Sequence, residues 1–392
     1  MNATVALLRA GRDLTQATDE LLALLGSPLD ALQAGMRVVI KPNMFQVKPG
    51  FQSHPELVCA VARLVAAKGA KVTVAERTRN IYTLLKDTDI HRYATVMSFD
   101  DCSLRVAAIE GATSLRVPVA FPEIILDCDY FIGIPQLRAH AGVLVTNAMK
   151  NLIGMFPGYT TRIVHTVGVE ESIVDLNLLR HQDLVITDAT TVIEGNYPIN
   201  GVAREVGLLS ASTSAVSIDA VMSTVAGYDP FEVEYLRIAH NRGLGTIDLN
   251  EITVVGLRPA DVAFTLNHPP YTVQSPREGI HIYAQHACIQ CQRYIAGSLL
   301  MLEPELQAYD GELTIISGPM ETLPEVKGRV VLIGNCTYQH RDAGVYVEGC
   351  PPRAIQSAAF KYALGQEVTA DQRTQFRTAE EHIRAQKSKL RD

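Results

Sequence analysis

The chain has 392 residues, 47% hydrophobic and 20% charged, so it can bury more than one core and is not a disordered polymer. Its formal charge is -7 with no basic cluster, which argues against a nucleic-acid partner, because phosphates need a cationic face. Charges come too early in MNATVALLRAGRDL for a secretory signal, and no apolar run approaches the ~18 residues that span a bilayer. A cytoplasmic protein without a membrane partner is therefore expected.

In chain order, RVVIKPN opens with a β-branched run over 38–40, the pattern of a strand buried on both faces. Ser53 and Glu56 have capping-box spacing, Pro55 suits a first helical turn, and Leu57, Val61, Leu64 and Val65 share one helical face before Gly69. With a second strand over 72–75, this is a βαβ unit. DYFIGI (129–134), DLVITD (183–188), LLSAST and EITVVG add strands, and SIDAVMSTVAG adds a helix. Pro, Gly and polar residues concentrate in LNHPPYTVQSPREG (266–279), which places a boundary there. Beyond it come HACIQCQRYIAGSLLML, the strands LTIISG, VVLIGNC and VYVEG, and a helix from about Ala354. The expected fold is α/β, with mostly parallel sheets flanked by helices. Its divisions are an α/β domain over 1–265, a smaller α/β cysteine-bearing domain over 266–367, and a polar helical tail over 368–392.

Ligands of open parallel sheets bind at the carboxyl ends of the strands. Polar residues follow each strand here: Lys41 and Asn43, Glu76 and Arg77, Arg138 and His140, then Asp188, Glu194 and Asn196. The densest segment, LRAHAGVLVTNAMKNLIGMFPGYTTRIVH, adds Asn147, Lys150, Asn151 and His165, with Thr146 placed to cap a helix. Lysine beside histidine in a cleft can hold an anion, act as a base or form a Schiff base; the plainer alternative is that these Asn and His side chains satisfy loop backbone.

The blocks VVIKPN, HPELVCAVARLVAAKGAKVTV, LRAHAGVLVTNAMKNLIG, RIVH, IEGNYPINGVAREVG and IDAVMSTVAGYDP, in that order over 37–256, resemble the family known as domain of unknown function 362. That resemblance implies motif positions at Lys41, Asn43, His140, Lys150, Asn151, His165, Glu194 and Asn196, and frequent association with iron–sulfur clusters, but no reaction. Two departures stand out: Arg138 where a lysine is expected, and Tyr197 where glycine commonly follows EGN.

Of seven cysteines, Cys59, Cys102 and Cys128 read as buried or inert thiols. Cys288 and Cys291 form C-x-x-C, and Cys336 and Cys350 each follow a strand, which makes four candidate metal ligands. The ferredoxin run C-x-x-C-x-x-C-x-x-x-C-P is absent. The segment GNC…GVYVEGCPPRAI is similar to the cluster-ligand region of the small subunits of respiratory complex I and nickel–iron hydrogenases, which implies a [4Fe–4S] cluster on Cys336 and Cys350. Structural zinc, a redox dithiol and replacement of one cysteine by His281, His286 or His340 stay open. No G-x-G-x-x-G or Walker lysine follows a strand, so no nucleotide is expected.

Two main readings emerge. One is an iron–sulfur oxidoreductase or lyase that binds a small anionic substrate through Lys41, Lys150, Arg138, Asn43, Asn147, Asn151, Glu194 and Asn196, with His140 and His165 moving protons. The other is a non-catalytic carrier of electrons, clusters or sulfur with an electron-transfer partner; a zinc-stabilised binding protein is the third option. A homodimer is compatible with each.

Overall fold

A computed structural model describes residues 3–140, 143–157, 161–197, 200–267, 273–350, 352, 357–373, 376–381, 384 and 387. The chain forms two compact units, Met1–His268 and Pro269–Asp392.

The first unit is built on strands β1 (Ala3–Arg9), β2 (Arg37–Pro42), β3 (Lys71–Glu76), β4 (Ala94–Ser98), β5 (Leu104–Ala107), β6 (Val119–Pro122), β7 (Tyr130–Ile134), β8 (Gln136–His140), β9 (Leu144–Thr146), β10 (Leu184–Asn196), β11 (Asn200–Ser212) and β12 (Ile252–Gly256). The main sheet runs β12-β1-β11-β10-β7-β2-β3-β4, with β8 and β9 attached through β10; β5 and β6 form a separate antiparallel pair. The pairs β2–β3, β2–β7, β3–β4, β7–β10 and β1–β12 are parallel, and β11 is antiparallel to both its neighbours. The α/β expectation of a mostly parallel sheet is borne out.

Strand pleating sends alternate residues into two cores. Val38 and Ile40 join one cluster with Leu57, Val61 and Val65, whereas Val39 faces the other with Phe131, Met149 and Leu152. That is why these strands read as continuous apolar runs. The helix Pro55–Ala67 covers one face through Leu57, Val58, Val61, Ala62 and Val65.

Three local expectations are corrected. The N-cap of that helix is His54, whose Nδ1 accepts from the Glu56 amide, while Ser53 Oγ donates to the Ile134 carbonyl and accepts from the Asn43 amide. Asn147, not Thr146, precedes the short helix Ala148–Asn151, and Asp219 from the helix Ala215–Val225 caps it. DLVITD does not end in a loop at Asp188. It continues as β10 to Asn196 and returns as β11, with a bulge between Ala189 and Thr191.

The second unit carries β13 (Ile280–Tyr283), β14 (Leu313–Ser317), β15 (Arg329–Ile333), β16 (Val345–Val347) and β17 (Phe376–Arg377). Strands β13 to β16 are parallel in that order, and β17 adds antiparallel to β16. Phe376, inside the segment expected to be a polar helical tail, is buried in this unit's core with Phe360 and Leu306. Among the described residues, no helix is long and apolar enough to cross a membrane.

Candidate functional site

Strand order in the first unit has a physical consequence. From β2 the chain proceeds outward to β3 and β4, while β7 and β10 lie on its other side, so the order reverses between β2 and β7. The carboxyl ends flanking a reversal leave a crevice, the usual ligand position in open α/β sheets. Lys41 is at the end of β2 with Asn43 just beyond it, Glu76 ends β3, and Gln136 and Arg138 follow β7.

Lys41 is 1% exposed. Its ammonium donates to Glu76 Oε2 (3.2 Å), Asn151 Oδ1 (3.2 Å) and the Pro42 carbonyl (3.2 Å). Burial lowers its pKa from the ordinary lysine value, and Glu76 opposes that shift. Asn151 returns a bond from Nδ2 to the Lys41 carbonyl (3.1 Å), so the short helix Ala148–Asn151 is tied to β2. Gly154 makes room: a Cβ there would lie 2.6 Å from Lys41 Nζ.

Arg138 is 2% exposed and equally engaged. Its Nε donates to Gln136 Oε1 (3.0 Å), one terminal nitrogen donates to the Tyr197 hydroxyl, and the other donates to Asn43 Oδ1 (2.7 Å) and the Phe51 carbonyl (2.7 Å). Its guanidinium also lies 4.9 Å from the centroid of the Tyr197 ring, and His140 meets that ring edge-on at 6.2 Å. Arg138 and Tyr197, the two positions that differ from the pattern the resemblance implies, are therefore in contact.

The remaining expected site residues divide. Asn147 is buried, with Oδ1 accepting from Thr187 (3.0 Å), and Lys150 is half-buried on the same short helix as Asn151. Asp188 accepts from the His54 amide (2.6 Å) and from Thr190, and burial raises its pKa. Glu194 sits far along the β10–β11 hairpin, where it holds Arg204 (3.3 Å) and Asn267 (3.2 Å). The side chains of His165 and Asn196 lie outside the described residues. Glu76, expected only as one of the polar residues after a strand, and Tyr197, expected only as a departure within a motif, are central to the network.

In the second unit the four selected cysteines gather at the carboxyl end of the parallel strands. Cys288 is the N-cap of the helix Ile289–Met301, and Cys291 lies in its first turn. Cys336 follows β15 and Cys350 follows β16. Two amide bonds zip the last two loops together, Gly334 to the Val347 carbonyl (2.9 Å) and Asn335 to the Gly349 carbonyl (3.1 Å), and Asn335 Oδ1 accepts from the Gly349 amide (2.8 Å). The Cys291 pKa is raised, first by its hydrogen bond with Cys288 and then by burial, with the charge of Cys336 contributing; Cys288 and Cys336 likewise add to the upward shift that burial gives Cys350. Cys291 is buried, and Cys288, Cys336 and Cys350 are exposed.

Two glycines allow close approach at this corner. Gly334 has φ +88°, and a Cβ on it would lie 3.2 Å from Cys291 Sγ; Gly318, at φ +96°, would bring a Cβ within 2.6 Å of the Ala287 amide nitrogen. No tight grouping of three His, Cys, Asp or Glu side chains that would close on a single ion occurs among the described residues. Cys59, by contrast, bonds Asp89 (2.8 Å), and burial pushes its thiol up to about 12.

Residues 38–224 match the family described as Domain of unknown function (DUF362). The match agrees with the resemblance drawn from the motif blocks and contains the switch-point residues; the four cysteines lie beyond it. The thylakoid-associated protein sll1697 of Synechocystis sp. is 28% identical over 277 residues, covering 64% of this chain and 78% of that protein. The lactate racemase apoprotein from Thermoanaerobacterium thermosaccharolyticum aligns over 95% of this chain and 78% of its own, at 11% identity and a TM-score of 0.36.

Proposed function

We propose that this chain, which carries a DUF362 domain, is an iron–sulfur protein with two working parts. Cys288, Cys291, Cys336 and Cys350 would hold a [4Fe–4S] cluster, and the switch-point crevice of the first unit would bind a small anionic substrate of a redox or lyase-type reaction. The observation that carries the reading is the convergence of four cysteines from three loops at the carboxyl end of one parallel sheet. The donor set fits: cubane clusters take one thiolate per iron, and Gly334 keeps a side chain away from Cys291 Sγ. When bound, such a cluster supplies one-electron transfer or, with one iron open, Lewis acidity.

The chain's own residues would do the rest. Lys41 and Arg138 concentrate positive charge beneath the crevice, while Asn43 is held in place by Arg138. Lys150 would meet the substrate's charge, and His140 would carry a proton beside the Tyr197 ring, with His165 in the same role. Exposure of three of the four cysteines favours a second reading, a carrier that hands electrons, clusters or sulfur to a partner. Lys150→Ala would leave that transfer intact but impair an enzyme.

Single Cys→Ser variants test the ligand set. Iron in anaerobically purified protein should fall well below the wild-type content for each of Cys288, Cys291, Cys336 and Cys350, and stay at that content for Cys59, Cys102 and Cys128. Full iron in Cys336→Ser and Cys350→Ser would remove the proposal's basis.

A further inference from the structure

The two fully buried cations of the crevice have spent most of their donors on the protein itself. Lys41 is shared among Glu76, Asn151 and Pro42, and Arg138 among Gln136, Tyr197, Asn43 and Phe51. Arg77 differs. It follows β3 directly, its guanidinium is half-buried and lies 4.5 Å from the centroid of the Phe45 ring, and no hydrogen bond or ion pair engages it among the described residues.

The nearest carboxylate cannot serve Arg77. Glu76 accepts from Lys41 at both oxygens (3.2 and 3.4 Å), from the Met44 amide (3.1 Å) and from the backbone amide of Arg77 itself (2.6 Å). Asp100 bears on Arg77 electrostatically but makes no ion pair with it. Lys41 in turn feels the charges of both Arg77 and Arg138. Three cations therefore share one fully committed carboxylate, with Asp188 further back bound to the His54 amide and to Thr190. A half-buried guanidinium with open donors is costly unless something else supplies the negative charge.

We propose that Arg77 is the anion-gripping residue of this site, taking a carboxylate or phosphate group of a small ligand in the two-pronged geometry of a guanidinium fork. Phe45 holds the plane of the fork. Asn43 supports it: Arg138 occupies its side-chain oxygen, which leaves Nδ2 as a donor to the same ligand. Lys41 and Arg138 then act as positioning residues that set the field without touching the ligand.

The inference rests on the anion-binding half of the proposed function and is independent of the cluster. Inorganic phosphate and succinate, titrated separately against sodium chloride at matched ionic strength, are the probes; calorimetry reads binding and thermal unfolding reads the fold. Wild-type protein should bind at least one anion saturably, which also tells phosphate from carboxylate. Arg77→Gln should weaken that binding roughly tenfold or more. Arg77→Lys, which keeps the charge and is the safer variant for folding, should weaken it several-fold because the fork is lost. Binding no stronger than the chloride control, or binding unchanged in the folded variants, overturns the proposal. Iron and sulfide measured on the same preparations separate the claims: anion binding by iron-free protein sinks only the cluster, iron-loaded wild-type protein blind to both anions sinks the anion-binding half together with this site, and wild-type binding left unchanged in the folded Arg77 variants sinks only the role of Arg77.

Discussion

Lys41 and Glu76 meet where water does not reach, with their side chains 1% and 4% exposed. A buried pair of this kind adds little over an apolar pair, but removing one partner strands a charge. Glu76→Gln should therefore destabilise the protein by about 3–5 kcal/mol. In denaturant unfolding, Lys41→Met should restore part of that loss in the double variant, because both changes act on one interaction. Additive losses would mean that the two side chains do not depend on each other. At this scale the sequence was informative about residue types and silent about partners. Lys41, Asn43, Arg138 and Asn151 stand out as polar residues after strands, and all four join one network. Glu76 joins it because β3 lies beside β2, as the βαβ unit implies, whereas Tyr197 could not be placed without knowing that Arg138 reaches the far end of β10. Glu194, chosen from the same motif as Tyr197, turns instead to Arg204 and Asn267, because alternate residues of a strand point to opposite faces.

Elements add a second kind of information. The short helix Ala148–Asn151 lacks a side-chain cap from its own N-cap residue and borrows one from Asp219, which accepts from the Ala148 (2.8 Å) and Met149 (3.1 Å) amides and from the Tyr235 hydroxyl (3.1 Å). A cap 71 residues away in sequence leaves no local signature, so Thr146 looked the natural choice. Burial pushes the Asp219 carboxyl up to about 7, well above its ordinary value, despite the hydrogen bonds that oppose the shift. The folded protein then keeps a proton that the unfolded chain releases near the usual carboxyl pKa of about 4. The stability from that proton is full at low pH, falls as pH rises through about 7, and is flat above it. Urea midpoints of wild type relative to Asp219→Asn should accordingly decline between about pH 4 and 7. A flat difference, or one that rises over that range, contradicts the assignment. The β10–β11 hairpin extends the strand expected over 183–188 for a related reason, because cross-strand pairing carries it to Asn196.

For the whole molecule, the α/β class was legible because βαβ grammar is local: a buried strand, a capped amphipathic helix and a second strand occur within 37–76. Sheet order was not, since it depends on which strands meet, and sheet order is what sets the switch point between β2 and β7. The cysteines were selected by their own spacing, C-x-x-C and two strand ends, and the parallel order of β13 to β16 explains how residues 288 to 350 reach one edge. The central claim is that this edge holds a cluster. Its most direct test is iron, acid-labile sulfide and zinc counted per chain in the wild-type protein purified without oxygen, alongside its visible spectrum. We predict brown protein with about four irons and about four sulfides per chain and no stoichiometric zinc. A colourless protein carrying stoichiometric zinc, or neither metal, would contradict it.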